Sequence, residues 1–216
     1  MLKNVVFDFD GTLVDSARGI IETEYVLLRE LNLPLRTEEQ IRAAIGLPLA
    51  QALHVGGNIP LDILDKASER YHELFFEVAP KYVTLFDGVR ETLEKLESKK
   101  IPMAIATSRS ADSLEVLMKA QKIDRFFNPC ITADKVKIHK PEPEPVLEIL
   151  RETGWKAEET LVTGDTTFDI LMGNRAGCRT LGVTYGNHSG ETLLTANPTY
   201  LVDRFEDILN VLQDRN

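Results

Sequence analysis

Residues 2–9 form a short β-branched and aromatic run that is apolar on both of its alternating faces. A strand with one face in water alternates polar and apolar residues, so this pattern predicts a strand buried within a parallel sheet. Similar runs recur at residues 101–107 and 160–164, with shorter ones at 130–132, 180–183 and 200–202. Between most of them the apolar period lengthens to that of a helix, at residues 89–98, 111–121, 145–153 and 166–176. Alternating strands and helices imply an α/β fold, a doubly wound parallel sheet of Rossmann-like form. Its ligands are expected beyond the carboxyl ends of the strands. A last helix is expected to run through Leu212, with Asp203 capping its start.

Residues 16–81 break this rhythm. They contain no convincing strand and read as helices interrupted near Pro34, at Gly46-Leu47-Pro48 and at Gly56-Gly57. They are expected to form a small all-helical domain inserted after the first strand, with residues 1–15 and 82–216 making the α/β core. Because the insertion leaves the core directly behind that strand, it is placed to hang over the strand ends.

Composition narrows the function. The 216 residues suffice for a core and a modest insertion. With 34 acidic against 25 basic side chains, a net charge of -9 argues against nucleic acid or an anionic membrane as the main partner. A small anionic ligand would have to be met by local cations, a metal or helix N-termini. Cys130 and Cys178 lack the spacing of a zinc or redox pair, which points to core packing in a reducing, cytoplasmic setting. The acidic residues at Asp8 and Asp10 interrupt any signal-like stretch, and no apolar run is long enough to span a bilayer.

The chemistry gathers at strand ends. Asp8 and Asp10 close the first buried run one residue apart, so the strand period points both side chains the same way. Two buried carboxylates that close repel, and such a pair needs a cation or a proton to be tolerated; a plain strand-end turn at Asp10-Gly11 is the bland alternative. Further along, Thr107-Ser108 follows the run Met103-Ala104-Ile105-Ala106. Lys140 stands in Lys140-Pro141-Glu142-Pro143, and Gly164-Asp165-Thr166-Thr167-Phe168-Asp169 follows Leu161-Val162-Thr163. The glycine before Asp165 permits close backbone approach, and helical spacing sets Asp169 one turn along.

Asp8-Phe9-Asp10-Gly11-Thr12-Leu13-Val14-Asp15, followed at once by a helical insertion, closely resembles the first motif of the haloacid dehalogenase superfamily. The Thr107, Lys140 and Asp165 segments resemble its later motifs in order. The resemblance implies that Asp8 is a nucleophile forming an aspartyl-phosphate and that Asp10 is the general acid and base. It further implies that Thr107 and the backbone near Ser108 bind the phosphoryl oxygens, with Lys140 offsetting charge. Mg2+ would be held by Asp8, the Asp10 carbonyl and Asp165, with Asp169 binding through water or steadying the ligands.

With an all-helical cap, the chain looks most like the phosphoglycolate phosphatase-like branch, acting on a small phosphorylated metabolite. Dehalogenation is disfavoured by Asp10, and phosphonate cleavage by the absence of any motif around Lys66 or Lys81. The alternatives are a sugar phosphomutase and a non-catalytic phosphate-binding module. Phosphoglycolate, nucleotides, pyrophosphate and sugar phosphates all stay open as substrates. Ile45-Gly46-Leu47-Pro48 is the candidate loop dipping toward the phosphate. Arg109 is read as beginning the next helix, in preference to adding charge near the phosphate. His54, His72, His139 and His188 show no metal spacing and are read as structural or solvated, and Trp155 and Phe126-Phe127 as packing residues.

Overall fold

The structure, a computed structural model, describes residues 1–213. Along the chain run β1 (Asn4–Phe7), β2 (Val14–Asp15), α1 (Ala17–Glu30), α2 (Glu38–Arg42), α3 (Leu49–Val55), α4 (Leu64–Val78) and β3 (Thr84–Leu85). Then follow α5 (Val89–Ser98), β4 (Met103–Ala106), α6 (Ala111–Ala120), β5 (Cys130–Ile131) and α7 (Glu144–Thr153). The chain closes with β6 (Thr160–Gly164), α8 (Thr167–Arg175), β7 (Arg179–Val183), α9 (Gly190–Leu194), β8 (Tyr200–Val202) and α10 (Ile208–Gln213).

The main sheet is parallel throughout, in the order β5-β4-β1-β6-β7-β8. From β1 the chain builds outward through β4 to β5, then returns past β1 to lay down β6, β7 and β8. The order therefore reverses beside β1, where an open α/β sheet forms its crevice. β1, β4 and β6 are buried at every position, which is why their sequences read apolar on both faces. Val6, Ala104, Ala106 and Val162 face α7 and α8 through Val146, Ile149 and Met172. Val5, Phe7, Ile105 and Leu161 face the opposite layer, where Leu93, Leu96, Leu114 and Phe205 pack. Phe7 meets the Phe127 ring edge-on at 6.1 Å and the Phe205 ring at 5.6 Å. Burying each such side chain contributes about 1.5–3 kcal/mol.

Between β2 and β3 lie helices α1 to α4. Leu27 and Leu28 of α1 and Tyr71, Leu74 and Phe75 of α4 are buried in the same hydrophobic cluster as one face of the sheet. β2 and β3 pair antiparallel, Val14 with Leu85 and Asp15 with Thr84, and tie together the points where the chain leaves and returns. Two residues per strand are too few to show a period, so the sequence carries no sign of this ribbon. Asp203 does not cap the closing helix. It accepts a hydrogen bond from the Thr184 hydroxyl (2.6 Å), and a 3-10 turn over Phe205–Asp207 precedes α10.

Cys130 and Cys178 are free thiols, pushed up to about 11 and about 12 chiefly by burial. Among the described residues no helix is long and apolar enough to cross a membrane.

Candidate active site

Asp8 follows β1 directly, and its N–H donates to the Thr163 carbonyl (2.9 Å), so its place is tied to β6. The chain then turns at Gly11, where φ is +83°. A Cβ there would lie 2.1 Å from Asp165 Oδ2, so this turn needs glycine both for its backbone angle and for its closeness to the second acidic segment. Gly164 plays a related part, since a Cβ on it would sit 2.2 Å from that of Asp169. Asp169 is anchored as a helix cap: its Oδ2 accepts from the Thr166 N–H (3.0 Å) and the Thr166 hydroxyl (2.7 Å) at the start of α8.

These anchors bring Asp8, Asp165 and Asp169 together, all buried, with one oxygen of each within 4.8 Å of the others. Lys140, also buried, donates to Asp8 Oδ1 at 2.5 Å and to Asp169 Oδ1 at 2.7 Å. Asp165 Oδ1 accepts from the Thr12 hydroxyl (3.0 Å), and its Oδ2 from Asn187 through the backbone (2.7 Å) and the side-chain amide (2.9 Å). Asp8 Oδ2 is left buried with no hydrogen-bond partner.

Three buried carboxyl groups lie together with one ammonium, which pairs with Asp8 and Asp169, and the electrostatics follow from that imbalance. Burial pushes Asp8 well above the usual carboxylate range; Lys140 opposes the rise, while Asp169 and Asp165 add to it. Burial and the charge of Asp169 carry Asp165 to about 7, against the pull of its hydrogen bonds to Asn187 and Thr12. Burial works against the charge on Lys140, but Asp169 and Asp8 outweigh it and hold the ammonium above its ordinary value. Such a cluster stays charged only with a further cation. The donors are all oxygen and lie within 4.8 Å of one another, which fits a hard divalent ion.

Asp10 stands apart from this cluster. Arg109 grips it with both prongs, Nε to Oδ2 and Nη2 to Oδ1, each 2.7 Å, and the Ser16 hydroxyl also donates to Oδ1. The guanidinium further donates to the Ser113 hydroxyl (2.5 Å) and lies 4.5 Å over the Phe75 ring of α4. Arg109 therefore does not begin α6, which starts at Ala111; its charge is spent on Asp10 across the crevice. Thr107 Oγ1 accepts from the Arg109 N–H (3.2 Å). Ser108 donates its hydroxyl to the Gly46 carbonyl (2.6 Å), which brings the loop at residues 45–48 onto the β4 end. A Cβ on Gly46 would lie 3.2 Å from Thr166, so that loop reaches the ends of both β4 and β6.

A cavity of about 360 Å³ opens over Asp8 and Asp10. Its core side carries Thr107, Ser108 and Arg109, and its far wall is built by the helices between β2 and β3. That wall is largely apolar, through Ile41, Ile45, Leu47, Leu53 and Phe75, with Glu24 and Tyr71 among them. His72 and His139 also line the cavity. His188 does not; its Nδ1 is placed to accept from the Thr167 N–H (3.1 Å), and burial lowers its basicity. Thr12, Asn187 and Arg109 hold the site's carboxylates and Glu24 lines the cavity, and none of the four is read as a site residue from the sequence. Thr12 lies inside the Asp8 motif, and Arg109 is weighed in the sequence as charge near the phosphate but set aside as a helix start.

A family model described as haloacid dehalogenase-like hydrolase matches residues 5–183. "Probable phosphatase IndB" of Dickeya dadantii is 37% identical, covering 95% of this chain and 91% of its own. The phosphoglycolate phosphatase of Pectobacterium atrosepticum is 32% identical, covering 98% and 92%. The crystal structure of a predicted phosphoglycolate phosphatase from Haemophilus somnus superposes with a TM-score of 0.91 at 25% identity, covering 98% of each chain.

Proposed function

The chain belongs to the haloacid dehalogenase-like hydrolases and is a phosphohydrolase, and on that premise we propose that it is a magnesium-dependent phosphatase acting on a small monoester through an aspartyl-phosphate on Asp8. The observation that carries this reading is Asp8 Oδ2, buried at the floor of the cavity with no partner, while Lys140 holds the other oxygen. An oxygen free of donors keeps its electron pair for phosphorus, and the ammonium beside it fixes the direction of attack. The P–O bond to Asp8 forms as the bond to the ester oxygen breaks.

Asp10 protonates the departing oxygen, then takes a proton from the water that attacks phosphorus and releases Asp8. For this it must slip part of the Arg109 and Ser16 grip, since both its oxygens are engaged. Thr107 donates its hydroxyl to a phosphoryl oxygen, its own Oγ1 being an acceptor only toward Arg109. Because the Ser108 hydroxyl is committed to Gly46, its contribution falls to the backbone N–H. Mg2+ would be held by Asp8, the Asp10 carbonyl and Asp165, with Asp169 steadying Lys140; when bound it neutralises the carboxylates and the phosphate. In this reading residues 16–81 act as a cap that excludes water, supported by the contact of Ser108 with Gly46, and the core is residues 1–15 and 82–216. The free thiols fit a cytoplasmic location.

Phosphate release from a panel of small esters, with and without Mg2+, tests the reading. Wild type is expected to release phosphate only with Mg2+, and Asp8→Asn to lose roughly a thousandfold or more. A wild type inactive on every ester, or an Asp8→Asn protein as fast as wild type, would overturn it.

A further inference from the structure

The phosphatase reading leaves a buried carboxyl group at the cavity unexplained. Glu24, on α1, is 3% exposed and lines the cavity, and its Oε1 is buried without a hydrogen-bond partner. That oxygen lies on the open side of Gly57, where an added Cβ would come within 2.8 Å of it. Its cavity neighbours Ile20 and Leu53 are apolar, and Tyr71 is the nearby polar-tipped side chain, whose phenol feels the charges of Arg109, Glu24 and Asp10. A buried polar group without a partner loses free energy that a hydrogen-bonding ligand restores.

The charges around the cavity say which ligand suits it. Asp8, Asp10, Glu24 and Asp134 all line it, and among the described residues Arg109 is the one lysine or arginine that does. Both prongs of that arginine are already on Asp10. A second carboxylate or phosphate on the substrate would have to strip Arg109 from Asp10 and lie among carboxyl groups. A neutral leaving group has no such penalty. We infer that Glu24 is a specificity residue that hydrogen-bonds a hydroxyl on the alcohol portion of the substrate, so that the preferred substrates are monoesters of neutral, hydroxyl-bearing alcohols such as polyols or sugars. The inference rests on the phosphatase reading for its reaction but on Glu24 for its selectivity. Burial carries the Glu24 carboxyl to about 8 against the pull of Arg36, so near neutrality it is mainly protonated. A protonated carboxyl both gives and accepts a hydrogen bond, as a hydroxyl does.

The test compares kcat/KM for glycerol 3-phosphate, ribose 5-phosphate and glucose 6-phosphate with that for ethyl phosphate and 2-phosphoglycolate, in wild type, Glu24→Gln and Glu24→Leu. Wild type is expected to prefer at least one hydroxylated ester over both others by roughly tenfold or more. The ratio to ethyl phosphate should fall roughly tenfold in Glu24→Leu, mainly through KM, and stay within about threefold in Glu24→Gln, which keeps an acceptor and donor in place. Preference for 2-phosphoglycolate, or a ratio unmoved by Glu24→Leu, overturns the inference. Calorimetric binding of the same esters to Asp8→Asn, with and without Glu24→Leu, separates the two readings. A wild type that turns nothing over refutes the phosphatase, while the binding ratio still decides the role of Glu24.

Discussion

Asp169 and Glu24 are both buried carboxyl groups, the first on a core helix and joined through Lys140 to Asp8 at the cavity floor, the second on the helices that roof it. Asp169 takes hydrogen bonds from Lys140, from the Thr166 backbone and from the Thr166 hydroxyl. Glu24 has an oxygen with none. Apart from Asp8 Oδ2, the floor of the cavity is thus wired by the protein itself, its charges held in place before any ligand arrives, as electrostatic catalysis requires. The roof is left incomplete, and a group that only a ligand can satisfy is how a site distinguishes one substrate from another. Chemistry and selectivity are placed on different elements, and each can be broken separately.

The largest effect should come from cutting the wiring of the floor. Lys140→Met removes the ammonium shared by Asp8 and Asp169 and leaves both carboxyls buried without it. Breaking a buried pair in this way costs about 3–5 kcal/mol. Burial holds the folded-state value of Asp8 above the ordinary one and Lys140 opposes it, so without the ammonium this carboxyl lends its full stability at low pH and loses it as pH rises. The deficit, read by urea unfolding against wild type, should therefore be greatest near pH 7 and shrink toward pH 5. Added Mg2+ should recover part of it. A variant as stable as wild type at pH 7 would mean that the floor does not depend on Lys140.

The same contrast governs what could be read from the sequence. β1, β4 and β6 are buried on both faces, so their composition betrays them, and Asp8, Asp10, Thr107 and Asp165 sit where those runs stop. Lys140 lies on no strand, but its motif follows the others in order. Partnership at a distance is another matter. Arg109 meets Asp10 across 99 residues of chain, and Asn187 meets Asp165 across 22, with nothing local in either segment to mark the pairing. Read locally, Arg109 looked like the start of a helix, because only the folded crevice sets its charge against Asp10. Glu24 was silent for a further reason. A carboxylate on an amphipathic helix is ordinarily a solvated one, and its burial depends on how α1, α3 and α4 pack together.

A smaller effect is expected where floor and roof touch. Arg109 grips Asp10 while lying over Phe75 of α4, so it links the proposed acid–base group to the helices above. Arg109→Lys keeps the charge but loses the two-pronged, planar geometry that fixes both Asp10 oxygens. Turnover should fall roughly tenfold, with KM changed less than about threefold, because positioning of the acid matters more in the transition state than in binding. A large rise in KM would place Arg109 on the substrate instead, and an unchanged kcat would show that Asp10 needs no such grip.

The smallest effect belongs to Glu24 and is a matter of sign. Its folded-state value of about 8 lies above the ordinary 4.5, so the stability of the neutral form is complete below about pH 4.5 and drains away as pH rises through 8. Glu24→Gln resembles the protonated acid and carries no such dependence. The two proteins should therefore melt together near pH 4, and the variant should pull ahead as pH rises. Between pH 5 and 6 the divergence can be at most about 1.4 kcal/mol, which is roughly 3–6 °C in Tm for a chain of this size. Thermal melts of both proteins at half-unit steps across pH 4–8 measure it. If the curves stay parallel, the Glu24 carboxyl is charged and satisfied in the folded protein, and the roof is as fully wired as the floor. If they diverge in this direction, the roof holds a neutral group without a partner, and saturating the variant and wild type with a hydroxylated ester should narrow the gap by stabilising wild type more.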